Sequence, residues 1–549
     1  MRVSSYQFRS MTDKIIWLKA GKRNIMKKRL AVLMACILVV SAFFASCGKK
    51  NDQNATTKAN SGAASENEIQ QGGEIVVGVT NDIDNLDPHK YTAAGTGEIL
   101  FNMFDGLVKV TPDGDLVPAI AESYTVNEDG TVYTFVIRQG VKFHNGTELN
   151  ADDVVYSVKR VSGLDGSPDA SVKHESALST LTSVEKGTAE DGKETVTLTL
   201  SAPNTELLGY LTFAIIPDDY TKQSETPVGA GPFKFVSYTE ASSVVMEKFA
   251  DYYGTPAYLD KVTFKITSDT DAAFTQLLAG TIDVFPYLTA DQADQLTENY
   301  NIEVGNMNLV QALFLNNTVK PLDDIRVRQA ICYAIDRQGV LDMVAAGKGT
   351  VIGTGMFAGF EKYYNADTVN TYATDVAKAK QLLSDAGYPD GFDITITVPS
   401  NYQFHVDTAQ VLVEQLKEVG INATISLVEW ATWLDEVYKG RNFETTIIGL
   451  DADLAPSDVL KRYASTASGN FINYNNSEYD TLFASAVAET DDNKKVEDYK
   501  KLQEILTNDA ASAYIQDPSL IVAVSKKLSG YTFYPVYVQD MSRVYFVKQ

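Results

Sequence analysis

After Gly73 the sequence runs to its C-terminus with no stretch that reads as a linker, and this continuity limits the possible folds more than any other feature. A segment of that length cannot close around one core, because single hydrophobic cores stop growing at about 250–300 residues. It must divide into two or three domains whose boundaries lie in short crossings. Two tightly joined lobes, with the chain passing between them, satisfy that condition.

The N-terminal residues do not belong to this body. Lys27-Lys28-Arg29 precede an apolar run from Leu30 to Ala45, broken only by Cys36 and Ser41, and the run ends at Ala45-Ser46-Cys47-Gly48. A basic flank, a short apolar core and small residues before a cleavage point are the parts of a secretory signal. The run is shorter than the roughly 20 residues that span a bilayer. The Cys after Ala-Ser resembles a bacterial lipobox, with Phe44 where Leu is usual, and implies that Cys47 is lipidated and becomes the first mature residue. Residues 1–46 are therefore expected to be a lipoprotein signal peptide, and Met26 would serve as its start. The rival reading is an uncleaved N-terminal anchor. Residues 47–72, rich in Lys, Asn, Thr, Ala, Ser and Gln, are too polar to bury a core and are expected to form a flexible tether.

Removing the signal leaves about 503 of the 549 residues and takes away nine Lys/Arg and one Asp, so the formal charge moves from −24 to −32. So acidic a surface argues against nucleic acid, which attracts basic stripes. Cys332 is left as the one thiol free of signal and lipid, in the apolar setting Ile331-Cys332-Tyr333 of an apparent helix. No disulfide framework is possible, and a buried structural role is expected for it.

Strand signals dominate the first half: the run Glu74–Val79, alternating segments on either side of the Asp129-Gly130 turn, Glu194–Leu200, a hairpin from Phe233 to Phe249, and Val262–Ile266. A helix is expected after Asn150, with Asp152 and Asp153 in its first turn. The second half reads as α/β. A helix from Asp375 to Ala386 ends at Gly387, and strand Phe392–Val398, a helix closed by Gly420 and strand Ile421–Val428 form a βαβ unit.

Segments 121–130 (AESYTVNEDG), 133–138 (YTFVIR), 140–146 (GVKFHNG), 151–155 (ADDVV), 229–233 (GAGPF), Tyr253-Gly254, 258–262 (YLDKV), 325–331 (IRVRQAI) and 334–337 (AIDR) occur in the order found in extracellular solute-binding protein family 5, which this chain resembles over nearly its whole mature length. The family comprises binding components of importers for oligopeptides, dipeptides, nickel chelates and some oligosaccharides. The resemblance implies an α/β, two-lobed periplasmic-binding-protein fold of the large three-subdomain type, with ligand held in the hinge cleft. Lobe one would comprise 73–308 and 516–549, including a strand-rich subdomain at about 111–205, and lobe two would be 309–515. It further implies an extracytoplasmic monomer that delivers ligand to the permease of an ABC importer.

For a peptide ligand, the ammonium needs a carboxylate. The family places an Asp in a segment like Gly-Trp-x-x-Asp followed by Pro, and here Gly449–Pro456 (GLDADLAP) matches it, with Leu450 in the Trp position. Asp453 takes the Asp position, and Asp451 is the reserve candidate. Asn81, Ile83 and Asp84 fall in the segment implied to line the lobe-one side, where backbone groups could pair with an added strand. Trp430 and Trp433 could form an aromatic wall or sit in a core. Arg462 and Lys461 could meet a ligand carboxylate or face solvent.

No enzyme constellation occurs: there is no Gly-x-Ser-x-Gly, and His174-Glu175 lacks a second His four residues on. His89, His144, His174 and His405 are scattered, so no catalytic residue, metal site or cofactor is expected. The alternatives to a peptide are an oligosaccharide or a chelated nickel ion as ligand; a surface sensor or adhesin is the alternative of another class.

Overall fold

The computed structural model describes residues 69–548 apart from 165, 167–170, 173–174 and 453. Residues 1–68, read as signal and most of the tether and including Cys47, lie outside the described residues, as do His174 and Asp453. The described chain begins with Ile69–Gln70, inside the stretch read as tether, which pairs antiparallel with Phe546 and Val547.

One sheet organises the molecule. Its strands run in the order 421–428, 392–399, 445–450, 310–315, 512–525, 284–285, 74–79, 261–266, 243–248, 233–239. The long strand Ser512–Ser525 is shared. Its first part pairs with Val310–Leu315, and its second part pairs with Tyr300–Asn306 and Val284–Phe285. Every residue in it is buried except Ser519. Burial on both faces explains why its apolar residues run together rather than alternating.

Two bodies form around this sheet. The cores of the first draw on residues 75–300 and 520–544, with Val77, Phe264, Val284 and Val522 fully buried. The cores of the second draw on residues 310–515, around Leu315, Ile396, Leu412 and Tyr514. Where the chain crosses at Asn308–Leu309 and Asp517–Pro518, the Asp517 carboxylate accepts the Leu309 N–H at 3.0 Å. Burial raises the Asp517 pKa to about 7.

A third core belongs to a four-stranded antiparallel sheet, 121–126, 132–137, 194–200 and 181–188 in chain numbering, lying next to one another in the order first, second, third, fourth. Its alternation is as the sequence dictates, with Tyr133, Phe135 and Ile137 turned inward. Helix Ala151–Ser162 covers it through Val154, Val158 and Val161. Asn150 caps that helix by accepting the Asp152 N–H at 2.7 Å, while its own N–H donates to Asp153 at 2.9 Å.

In the second body, Phe392–Pro399, helix Gln403–Lys417 and Ile421–Val428 form the expected parallel unit. Its turn permits no side chain at Gly391, where a Cβ would stand 1.7 Å from the Gly420 carbonyl oxygen.

Candidate ligand-binding cleft

The site lies where the bodies meet, near the C-terminal end of strand Thr445–Leu450 and helix Ala94–Leu100. On the first body, Glu98 is 3 % exposed. Its Oε1 accepts a hydrogen bond from the Tyr287 hydroxyl and another from Gln539 Nε2 at 3.2 Å. Asn102, one turn beyond Glu98, donates to the Gln539 carbonyl at 2.8 Å and accepts the Met541 N–H at 2.9 Å. The C-terminal segment is thereby fixed against the helix. Tyr531 donates to Gln539 Oε1 at 2.9 Å, and the Tyr287 and Tyr537 rings stack 5.9 Å apart.

The second body contributes Asp451. The Glu98 pKa is raised to about 7, chiefly by burial and in part by the Asp451 charge, against the opposing Tyr287 and Gln539 hydrogen bonds. The same two carboxylates raise the pKa of Tyr402, although burial is its main cause. Glu98, Asp451, Tyr402 and Tyr537 are therefore within electrostatic reach of one another across the cleft. Among the described residues, neither Glu98 nor Asp451 is ion-paired with a lysine, arginine or histidine. Two acidic groups walled by tyrosines suit a positively charged group on a ligand.

The segment carrying Asp451 is held from behind. His405 Nε2 accepts the Gly449 N–H at 3.1 Å, and its Nδ1 lies 2.8 Å from the Gln311 amide. Burial drives the His405 pKa down to about 3, so the ring stays neutral and keeps a lone pair for Gly449. Arg462 Nη2 donates to the Asp451 carbonyl at 2.9 Å, which places Arg462 as a support of this loop.

The other candidates from sequence divide by what their side chains touch. Asn81 accepts a hydrogen bond from Asn401 Nδ2 at 3.3 Å, a contact between the two bodies. Ile83 is buried in the first body's core. Asp84 accepts from Thr92 N, Thr92 Oγ1, Ala93 N and Thr96 Oγ1 at 2.6–3.1 Å, so its carboxylate organises the turn that starts the Glu98 helix. Trp433 is 2 % exposed and donates to Thr446 Oγ1 at 2.9 Å within the core. Trp430 is half-buried, stacks on Trp433 at 5.2 Å, and meets the Tyr402 ring edge-on at 5.4 Å. Lys461 is ion-paired with Asp458 and, at 3.2 Å, with Glu175 of the first body.

Glu98, Tyr287, Tyr402, Tyr531, Tyr537 and Gln539 were not legible as site residues. They come from separated segments, and none has a local motif that announces a cleft. Glu98 gave one weak signal, an acidic residue on the apolar side of a short helix (Ile99, Leu100 and Met103 beside it).

The two-lobed α/β body with acidic groups and tyrosines at its crossing defines the class. The chain belongs to the bacterial extracellular solute-binding proteins, family 5, whose model matches residues 115–471. Members of that family are substrate-binding proteins of transporters. It is 27 % identical to the oligopeptide-binding protein AppA of Bacillus subtilis, over 93 % of this chain and 97 % of AppA. It is 29 % identical to the glutathione-binding protein GsiB of Salmonella typhi, over 84 % of this chain and 92 % of GsiB. Among solved structures, the periplasmic binding protein DppA of Helicobacter pylori in complex with the peptide STSA superimposes with a TM-score of 0.79 at 29 % identity, covering 87 % of this chain and 99 % of DppA. Among the described residues no helix is long and apolar enough to cross a membrane.

Proposed function

We propose that this protein is the lipid-anchored, extracytoplasmic solute-binding component of an ABC-type importer, and that it captures short peptides with a free N-terminal ammonium and delivers them to the permease. The observation that carries the peptide reading is the pair Glu98 and Asp451, acidic groups from opposite bodies that no protein cation neutralises among the described residues. A peptide ammonium supplies the missing charge, whereas a neutral sugar leaves both carboxylates desolvated and uncompensated. Asp453, at the family's Asp position, would share this role with Asp451. The relatives named above, which bind an oligopeptide, glutathione and the peptide STSA by their own descriptions, support the same ligand class.

The lobes in this reading are 73–308 with 516–549, and 309–515. The division is supported by the two sets of cores and by the crossings at Asn308–Leu309 and Asp517–Pro518. Anchoring rests on the signal-like N-terminus and Cys47. Thermal-shift screening tests the ligand class: tri- to hexapeptides should raise the melting temperature by mass action, while oligosaccharides and nickel-histidine should not. A shift with sugars alone would transfer the protein to the oligosaccharide binders. Radiolabelled palmitate retained by the wild type and lost on Cys47→Ala tests the anchor; equal labelling of both would refute it.

A further inference from the structure

The loop that carries Asp451 is gripped at its far end by the opposite body. Helix Pro456–Leu460 begins where this loop ends, and its Ser457 N–H donates to Glu206 Oε2 at 3.0 Å. Glu206 belongs to the segment that follows the strand-rich subdomain of the first body. Its other oxygen accepts the Tyr499 hydroxyl at 2.7 Å and lies 3.1 Å from Lys495 Nζ, both on helix Asp492–Asn508 of the second body. The Glu206 and Lys495 side chains are only 6 % and 7 % exposed. Tyr210 reinforces the contact through a 2.5 Å hydrogen bond between its hydroxyl and Ser457 Oγ. Gly209 lets the backbones approach: a Cβ there would stand 3.2 Å from Ala455 Cβ, just before the helix.

A carboxylate that accepts a helix N-terminal N–H, a tyrosine hydroxyl and a buried ammonium, all from the other body, has its full set of partners only when the bodies are together. On separation, Glu206 and Lys495 regain water but lose each other, and Ser457 loses the acceptor that fixes its end of the loop. His405 holds the Gly449 end of the same loop from within the second body. One anchor lies within the second body, and the other spans the two bodies.

We infer that Glu206 is a positioning residue for ligand binding: closure of the first body onto the second brings its carboxylate to Ser457, Tyr499 and Lys495 and so sets the geometry of the Asp451 loop. This rests on the reading of that loop as the ligand-binding loop. A segment outside the acidic cleft thereby bears on retention of the ligand. Release then requires breaking a buried ion pair as well as the ligand's own contacts, so the effect falls mainly on the dissociation rate.

The test uses the full chain with Glu206→Ala and Glu206→Gln, two readouts and one defined probe, trialanine. In ligand-free protein, hydrogen exchange of the peptide segment covering 455–463 reads the latch directly and does not depend on what the ligand is. Loss of protection confined to this segment and to the 204–211 segment is expected in Glu206→Ala. Glu206→Gln, which keeps an oxygen for Ser457 but no charge for Lys495, should lie between. Stopped-flow release of trialanine should quicken by on the order of 30-fold in Glu206→Ala, with the thermal midpoint of the ligand-free protein within a few degrees of wild type. Unchanged exchange and unchanged release would overturn the inference. So would loss of protection throughout both bodies with a large drop in midpoint, which marks a purely structural role. If trialanine fails to bind wild type, the peptide reading fails, while the exchange arm still decides the role of Glu206.

Discussion

Replacing Glu98 by Gln removes a carboxyl that burial has made reluctant to ionise, and leaves its hydrogen bonds in place, since Tyr287 and Gln539 both donate to the single oxygen Oε1. The folded protein raises this pKa from 4.5 to about 7. The folded state therefore holds a proton that the unfolded chain releases above the ordinary glutamate pKa. Its contribution is most favourable below pH 4.5, is lost progressively as pH rises to about 7, and is constant beyond. A shift of this size corresponds to about 3 kcal/mol. Gln does not titrate, so the variant lacks this loss. Urea unfolding of wild type and Glu98→Gln at half-unit steps from pH 4.5 to 8 should give a stability difference that grows in favour of Gln by about 3 kcal/mol across the range. Asp517, also raised to about 7 by burial, is present in both proteins and cancels in the difference. A difference independent of pH would refute the assignment of Glu98 as a buried, uncompensated acid. A difference growing in the opposite sense would mean that an unrecognised cation stabilises its ionised form.

Arg160 and Asp87 form a buried pair, 2.7 Å between Nη2 and Oδ2 and 11 % and 4 % exposed, so Arg160→Met should destabilise the first body by about 3–5 kcal/mol through the carboxylate it strands; a fall in melting temperature checks this. Trp433→Phe should cost about 1–3 kcal/mol from the lost contact with Thr446 and the volume removed, with little change in ligand affinity. Trp430→Ala, at the half-buried ring beside Tyr402, should show the opposite pattern by calorimetry: a change in peptide affinity with a smaller effect on stability. His405, held neutral by burial with its pKa down at about 3 against an ordinary 6.5, contributes stability that is full above pH 6.5 and is lost as pH falls towards 3. His405→Gln should flatten that acid limb in a urea titration.

Much of the architecture was legible because its signals are local. The βαβ unit at 392–428 carries its glycine stop and apolar helix face in sequence, and the Asn150 cap and the Asp129-Gly130 turn announce themselves in the same way. The central strand Ser512–Ser525 did not. Asp517-Pro518 within it has the form of a turn signal, and only its place at the crossing between bodies, where pairing passes from one set of neighbours to another, makes an extended path through Pro possible. The cleft was legible only in part for a related reason. The motif points to Asp453, outside the described residues, with Asp451 in reserve, whereas Glu98, Tyr287, Tyr402 and Gln539 come together only when strands and helices from both bodies converge. Trp433 illustrates the converse: its rarity singled it out, yet three-residue spacing on one helical turn puts Trp430 at the boundary and Trp433 in the core behind it.

Isothermal calorimetry of trialanine against N-acetyl-trialanine tests whether the cleft's acidic groups receive a peptide ammonium. The free peptide should bind, and acetylation should weaken it by on the order of 30-fold or more, because both carboxylates then lose their counter-charge. Equal affinity for the two peptides would rule out recognition of the ammonium.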